Sequence, residues 1–388
     1  MTTAEVDDNI EVVRRATREL ARRFGYDYWL DKDRKHEYPW DFVHAFAAGG
    51  WLGAMIPEQY GGIGLGLREA AVMMGEIAAS GGGMSGGSAI HFYVFPPAPI
   101  VKYGSEAMKQ EYLPKLAAGE LLMAFGVTEP TAGVDTSRIK TKATKVDGGW
   151  VINGQKVFIT NAQNAQKILL LARTSPRSED KPLWGMSLFL CDMDRKAVTV
   201  REIDKLGRAA IDTNELFIDN LEVAEDRLVG EVDKGFYYLL DGLNPERIVV
   251  GMEGIGLGRA ALDLATDYAK NRIVFDRPIG KNQAVAHPLA DSWIRLEAAE
   301  GMAMKAADLF DRGLPCGPEA AAAKYLGAEG GFEACDRAFS TLGGYAYARE
   351  YHIERLWREV RLLRNAPFSQ EMVRNYVSQQ VLGLPRSY

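Results

Sequence analysis

A chain of 388 residues with 47% hydrophobic residues is long enough for two or three packed units. Its formal net charge of −6 lacks the basic footprint of nucleic-acid-binding proteins, so no nucleic-acid partner is expected. Cys191, Cys316 and Cys335 are an odd number without framework spacing, which favours reduced thiols in a cytosolic protein. The amino terminus is unlike a targeting peptide, and no apolar run approaches the roughly 20 residues that span a bilayer. We therefore expect a cytoplasmic protein without a membrane span.

The first third of the chain has helical periodicity. Apolar residues recur at helical spacing in 8–24, 39–50, 67–80 and 106–119, and Pro and Gly breaks separate these segments. The pattern predicts an N-terminal helical domain at residues 1–122.

The period changes in the middle of the chain. An Asp-Gly-Gly turn at 147–149 joins two β-prone runs. Further strands are predicted at 167–174, 185–192, 197–203 and 214–223. No GxGxxG motif stands at a strand-to-helix turn, so a Rossmann site is not expected. We predict a middle β-domain at residues 123–233.

The last third is helical again, with two long helices predicted at 246–272 and 287–313. It predicts a C-terminal helical bundle at residues 234–388. Helices, then a strand block, then helices are typical of an α+β fold with segregated layers rather than alternating βαβ units.

Two neighbouring segments carry the most information about function. The first, AFGVTEPTAGVDTSR at 124–138, leaves a strand and offers backbone N–H groups, hydroxyls and small residues. The second, WVINGQKVFITNA at 150–162, adds an aromatic ring. A flavin needs such donors at its ring edge and close backbone approach at its pyrophosphate. The first segment alone is equally typical of a Gly/Thr-rich turn, but the pair resembles the signature of the acyl-CoA dehydrogenase family.

The resemblance covers essentially the whole chain, because that family has the same order of helical domain, β-domain and four-helix bundle. It implies FAD as cofactor and an acyl-CoA as substrate, which is oxidised to the trans-2-enoyl-CoA. A carboxylate removes the α-proton while the β-hydride passes to the flavin. It also implies transfer of electrons to electron-transfer flavoprotein, and a homotetramer built as a dimer of dimers.

The resemblance also implies which residues contact the cofactor. Phe158 stands where the family usually has tryptophan, which keeps an aromatic cover but loses an indole N–H. Arg272 is expected to pair with the pyrophosphate of a neighbouring subunit's flavin. The alternative is a purely structural role, in which a cation at a helix C-terminus interacts with the helix dipole. The implied cofactor residues are Phe125, Val127, Thr128, Gly133, Phe158, Ile159, Thr160, Arg272, Phe275, Gln283, Leu342, Gly343, Gly344 and Ser369.

The catalytic base is not at its most common family position. There the family has Glu-Gly-Thr, and this chain has Pro367–Ser369, which carries no carboxylate. Other members place the base at the start of the first long C-terminal helix, before an arginine; here these residues are Glu246 and Arg247. Glu246 also suits a plain helix start with Asn244 as N-cap and Pro245 in the first turn. Because the usual base is absent, the resemblance implies Glu246 as base.

Substrate contacts are implied for Val134, Asn244 and Arg247, of which Val134 replaces a common serine. Two other functions stay open. One is an acyl-CoA oxidase, desulfinase or nitroalkane-oxidase-like enzyme on the same scaffold, and the other is a catalytically silent acyl-CoA-binding protein. His91 is expected to be a core or pocket-wall residue, and no metal site is expected, since no cluster has metal-ligand spacing.

Overall fold

The computed structural model describes residues 3–386. Its amino-terminal part is helical, and Ser105 illustrates why one helix begins where it does: its hydroxyl accepts the backbone N–H of Met108 at 3.2 Å. The helices are α1 Thr3–Ala21, α2 Tyr26–Lys35, α3 Trp40–Ala48, α4 Leu67–Ile77, α5 Gly83–Val94, α6 Ala98–Tyr103 and α7 Glu106–Ala117.

A wide helical turn at Ala78–Gly82 joins α4 to α5. Gly83 follows with a φ of +56°, and a Cβ there would lie 2.4 Å from the Oε2 atom of Glu359, so only glycine fits. The same Glu359 carboxylate accepts the backbone N–H groups of Met84 and Ser85 at 2.7 and 3.2 Å. A carboxylate at the start of α5 interacts favourably with the helix dipole, and its hydrogen bonds fix the position of this helix.

The middle part is a sheet with the strand order β6-β7-β3-β2-β4-β5-β8, and β1 pairs with β4 in parallel. Its strands are β1 Met123–Gly126, β2 Lys142–Val146, β3 Gly149–Thr160, β4 Lys167–Arg173, β5 Met186–Asp192, β6 Val198–Glu202, β7 Thr213–Ala224 and β8 Leu228–Val229. The register between β3 and β7 shifts between Lys156 and Ile159, and Phe158 has a φ of +59°. This bulge turns the Phe158 side chain outward.

The carboxyl-terminal part is helical apart from a short hairpin, β9 Ile273–Val274 and β10 Arg277–Pro278. Its helices are α8 Gly235–Asp241, α9 Leu243–Asn271, α10 Gln283–Asp311, α11 Gly317–Leu342, α12 Ile353–Val360 and α13 Gln370–Tyr376. The backbones of α9 and α11 nearly touch, since a Cβ on Gly327 would lie 2.2 Å from the carbonyl oxygen of Gly251. Both α9 and α11 therefore need glycine at their crossing.

The predicted α+β class is confirmed, with the sheet between two helical parts. The two long helices form, beginning three and four residues before their predicted starts. The alternative of Asn244 as an N-cap is wrong: α9 already begins at Leu243, and the Asn244 side chain instead accepts a hydrogen bond from Arg247 at 3.1 Å. Within residues 3–386, no helix has the length and apolar character needed to cross a bilayer.

Candidate active site

The two segments that resemble the flavin signature meet in space. The segment after β1 lies against β3, where the backbone N–H of Val157 donates to the carbonyl oxygen of Thr128 at 2.9 Å. The Nζ atom of Lys156 donates to the carbonyl oxygen of Val127 at 3.0 Å. Residues 124–138 and 150–162 thus form one continuous structure, which we call the cassette.

A buried ion pair holds the cassette together, and it was missed from the sequence. The Nζ atom of Lys156 lies 2.9 Å from the Oε1 atom of Glu129, and both side chains are almost fully buried. The Glu129 carboxylate also accepts the backbone N–H groups of Lys140 and Thr141 at 2.6 and 3.0 Å. Burial lowers the pKa of Lys156 to about 8, against the opposing effect of Glu129. The period of two along β3 puts Lys156 on the buried face with Ile152, a signal that was available.

The outer surface of the cassette is open. The Phe158 side chain is 66% exposed, and Val134 is also exposed. A Cβ on Gly133 would meet no atom within 4 Å, so a ligand can approach its backbone closely. Thr128 is half-buried, whereas Ile159 is buried in the core. An exposed ring, a hydroxyl and an open glycine fit the requirements of a flavin.

Arg208 links the cassette to α5. Its guanidinium donates to the hydroxyls of Ser88 at 2.9 Å, Thr213 at 3.2 Å and Thr160 at 3.4 Å. Burial lowers the pKa of Arg208, although Glu359 and other carboxylates oppose this. No local pattern of residues signals this contact, because the partners lie on three separate elements.

Glu246 borders a mainly apolar cavity of about 270 Å³. Phe95 lines the same cavity, and its ring centre lies 5.3 Å from that of Phe125 in the cassette. The cavity therefore lies at the start of α9, and Phe95 in its wall contacts the cassette. Its lining residues are Met55, Leu67, Val94, Phe95, Ala98, Pro99, Lys102, Tyr103, Tyr238, Asp241, Gly242, Pro245, Glu246, Val249 and Phe310.

His91 bridges two glutamates behind this cavity. Its Nε2 atom lies 2.9 Å from the Oε2 atom of Glu246, and its Nδ1 atom lies 3.2 Å from the Oε1 atom of Glu253. Burial lowers the pKa of His91, but Glu246 and Glu253 outweigh burial and raise it well above 6.5. The expectation that His91 is a pocket-wall or core residue missed these two hydrogen bonds. Glu253 follows Glu246 by seven residues, and this helical spacing was a readable signal.

Aromatic side chains beside the position matched to the usual family base, Pro367, pack on Arg247. The Arg247 guanidinium lies 4.9 Å from the ring centre of Phe368 and 5.3 Å from that of Tyr376. Burial lowers the pKa of Arg247. The hydroxyl of Ser369, an implied cofactor contact, accepts the backbone N–H of Met372 at 3.3 Å and so caps α13.

The remaining implied cofactor residues lie in the carboxyl-terminal part. Phe275, at the tip of the β9–β10 hairpin, is 93% exposed, and the Arg272 guanidinium lies 5.5 Å from the ring centre of Tyr345. A Cβ on Gly343 or Gly344 would meet no atom within 4 Å. Gln283 is exposed at the start of α10, whereas Leu342 is buried. Among the residues described, no group of three or more His, Cys, Asp or Glu side chains is arranged to hold a metal ion.

Family models match nearly the whole chain. They are the acyl-CoA dehydrogenase N-terminal domain at residues 7–120, middle domain at 124–221 and C-terminal domain at 233–382.

Similar proteins support the same assignment. "Acyl-CoA dehydrogenase FadE12" of Mycobacterium tuberculosis (strain ATCC 25618 / H37Rv) is 38% identical over 384 residues, which cover 97% of each chain. The glutaryl-CoA dehydrogenase structure with glutaryl-CoA is 28% identical, with a TM-score of 0.91, and the match covers 100% of this chain and 97% of that one. The FAD complex of PigA, 23% identical, shares the fold with a TM-score of 0.90 over 98% of each chain. The chain belongs to the acyl-CoA dehydrogenase family.

Proposed function

We propose that this protein is a cytoplasmic FAD-dependent dehydrogenase that converts an acyl-CoA to the trans-2-enoyl-CoA, with Glu246 as the catalytic base. One observation carries the proposal: Glu246 borders an apolar cavity, and Phe95 in the wall of that cavity packs on Phe125 of the cassette. An acyl chain in this cavity would lie between a carboxylate and a flavin site, which is the arrangement that α,β-dehydrogenation needs.

Glu246 accepts the α-proton in this proposal, so a C–H bond of the substrate breaks and an O–H bond forms on the carboxylate. The apolar walls would exclude water from the reacting groups. Bound FAD supplies the hydride acceptor. Thr128, Thr160 and Gly133 would hold its ring edge and pyrophosphate, and Phe158 would cover one face.

Asn244, Arg247 and Val134 are proposed to contact the substrate. Asn244 and Arg247 flank Glu246 on α9 and hydrogen-bond to each other at 3.1 Å. Arg247 in turn packs on Phe368, so the first turn of α9 is tied to the segment before α13. This tie supports a fixed orientation for the base and its neighbours.

A homotetramer is proposed as the working assembly, with electron-transfer flavoprotein as electron acceptor. Exposed apolar side chains on the carboxyl-terminal part support self-association: Phe275 is 93% exposed, Trp293 57% and Ile294 58%. Within an assembly, Arg272, Phe275, Gln283, Leu342, Gly343 and Gly344 would complete a neighbouring subunit's flavin site. Ser369 is also proposed to contact the cofactor.

The test is anaerobic reduction of the bound flavin by a panel of acyl-CoAs. We expect a yellow protein with one FAD per subunit whose flavin band is bleached by its true substrate. Glu246→Gln should still bind the thioester, while the bleaching rate falls by about 10²–10⁴-fold, as expected for loss of a general base. Glu371→Gln is the matched control, because Glu371 is an exposed helix-start glutamate near the usual family base position.

Three outcomes would contradict the proposal. Undiminished bleaching in Glu246→Gln would mean a different base. Substrate-dependent oxygen consumption without a carrier protein would indicate an oxidase. A colourless protein that cannot be reconstituted with FAD would indicate the silent binding protein.

A further inference from the structure

We propose that His91 and Glu253 are positioning residues for the catalytic base, so that Glu246, His91 and Glu253 act as one hydrogen-bonded unit. The inference rests on the proposed function, since it concerns the same base. It adds two residues that are not themselves part of the cavity lining.

The geometry of the unit is specific. Glu246 and Glu253 lie two turns apart on one face of α9, and the His91 ring of α5 fills the space between them. The two N···O distances are 2.9 and 3.2 Å. A neutral imidazole has one N–H, so donation to both carboxylates requires the protonated ring.

The surroundings are built to hold a second buried carboxylate. A Cβ on Gly87 would lie 3.0 Å from the Oε1 atom of Glu253, so a side chain there would crowd it. The other oxygen of Glu253 is buried without a hydrogen-bond partner. An unpaired buried carboxylate is costly, and this cost is offset when the imidazolium balances its charge.

Other charges near the unit are engaged elsewhere. Lys102 and Asp241, which also line the cavity, pair with each other at 2.6 Å. Arg208 faces Glu253 electrostatically, but its hydrogen bonds go to the hydroxyls of Ser88, Thr160 and Thr213. His91 is therefore the cation that hydrogen-bonds the base.

The unit has a chemical consequence. His91 binds the Oε2 atom of Glu246 and leaves Oε1 for the α-proton of the substrate. Two carboxylates and one imidazolium carry a single negative charge, which proton abstraction neutralises. Glu253 keeps the ring protonated, so the orientation of Glu246 depends on a residue two turns away.

The kinetic test compares His91→Gln, Glu253→Gln and Tyr93→Phe in the FAD-loaded enzyme. Tyr93 is the control because it lies on the same helix and its buried hydroxyl has no hydrogen-bond partner. We expect bleaching about 10²-fold slower in His91→Gln, as for a misplaced catalytic group. Acyl-CoA affinity should stay near the wild-type value, and the pH profile of bleaching should shift in both glutamine variants but not in Tyr93→Phe.

A second measurement needs no substrate. In protein with nitrogen-15-labelled histidine, both ring nitrogens of His91 should carry protons at about pH 8, where an ordinary histidine with a pKa near 6.5 is neutral. The His91 signal is identified as the one that is absent in His91→Gln. In Glu253→Gln this signal should be that of a neutral ring. A neutral His91 in the wild type, or an unchanged rate and pH profile in His91→Gln, would overturn the inference and leave the proposed function intact. Failure of every acyl-CoA to bleach the wild-type flavin would instead overturn the proposed function.

Discussion

His91 ties the stability of the fold to pH. Although burial lowers the pKa of this ring, Glu246 and Glu253 raise it well above 6.5. A histidine whose pKa is raised on folding stabilises the native state fully below its unfolded value, about 6.5. This stabilisation is lost as the pH rises through the higher native-state value.

The stability gap between wild type and His91→Gln should therefore be largest near pH 6 and should shrink at alkaline pH. Urea unfolding at a series of pH values measures it, with Tyr93→Phe as the control on the same helix. A gap that does not change with pH would show that His91 is not charged in the folded protein.

The same residues show what a sequence can reveal about a site. Glu246 was predicted as the base because its family-compatible position and its carboxylate pointed to one chemistry. His91 was not, because its partners Glu246 and Glu253 are 155 and 162 residues away along the chain. A buried histidine between two carboxylates depends on how α5 meets α9, which no local pattern encodes.

At the level of secondary structure elements, the cassette depends on the Glu129–Lys156 pair. Glu129→Gln should lower the free energy of unfolding by about 3–5 kcal/mol, because it leaves the buried Lys156 charge uncompensated. It should also speed the dissociation of FAD, since the two segments of the cassette would separate. Denaturant unfolding and flavin release provide the measurements.

The matched control is Glu225→Gln, which removes the exposed partner of Lys145. An exposed ion pair contributes little to stability. Equal effects of Glu129→Gln and Glu225→Gln would contradict the assigned role of the buried pair.

The periodicity of the sequence predicted which segments form strands, but not the irregularities within those strands. The strand patterns at 167–174 and 214–223 became β4 and β7, because alternating or continuous apolar residues suit a partly buried sheet. The bulge that exposes Phe158 was not predicted, since it arises from the pairing of β3 with β7, a contact between distant segments.

For the whole molecule, the exposed hairpin tip predicts dependence on a neighbouring subunit. Phe275→Ser should leave the secondary structure intact but reduce FAD retention and shift the protein to smaller species at low concentration. Flavin content and sedimentation measure these effects. Val146→Ser, at the exposed end of β2, is the control and should behave like the wild type.

Unchanged flavin content and sedimentation in Phe275→Ser would contradict the shared site.

The order of helical, strand and helical parts was readable from periodicity alone. The exposure of Phe275 could not be predicted from periodicity. It depends on how the short β9–β10 hairpin is held between the helices α9 and α10 that flank it.

A protruding hairpin has a genetic consequence. If each flavin site combines one subunit's cassette with another's Phe275, two variants with different defects can complement each other. In a mixed dimer of Glu246→Gln and Phe275→Ser subunits, one site inherits both defects. The other site receives an intact base and an intact hairpin. Two alleles that each encode a defective subunit would therefore together restore part of the activity that neither supplies alone.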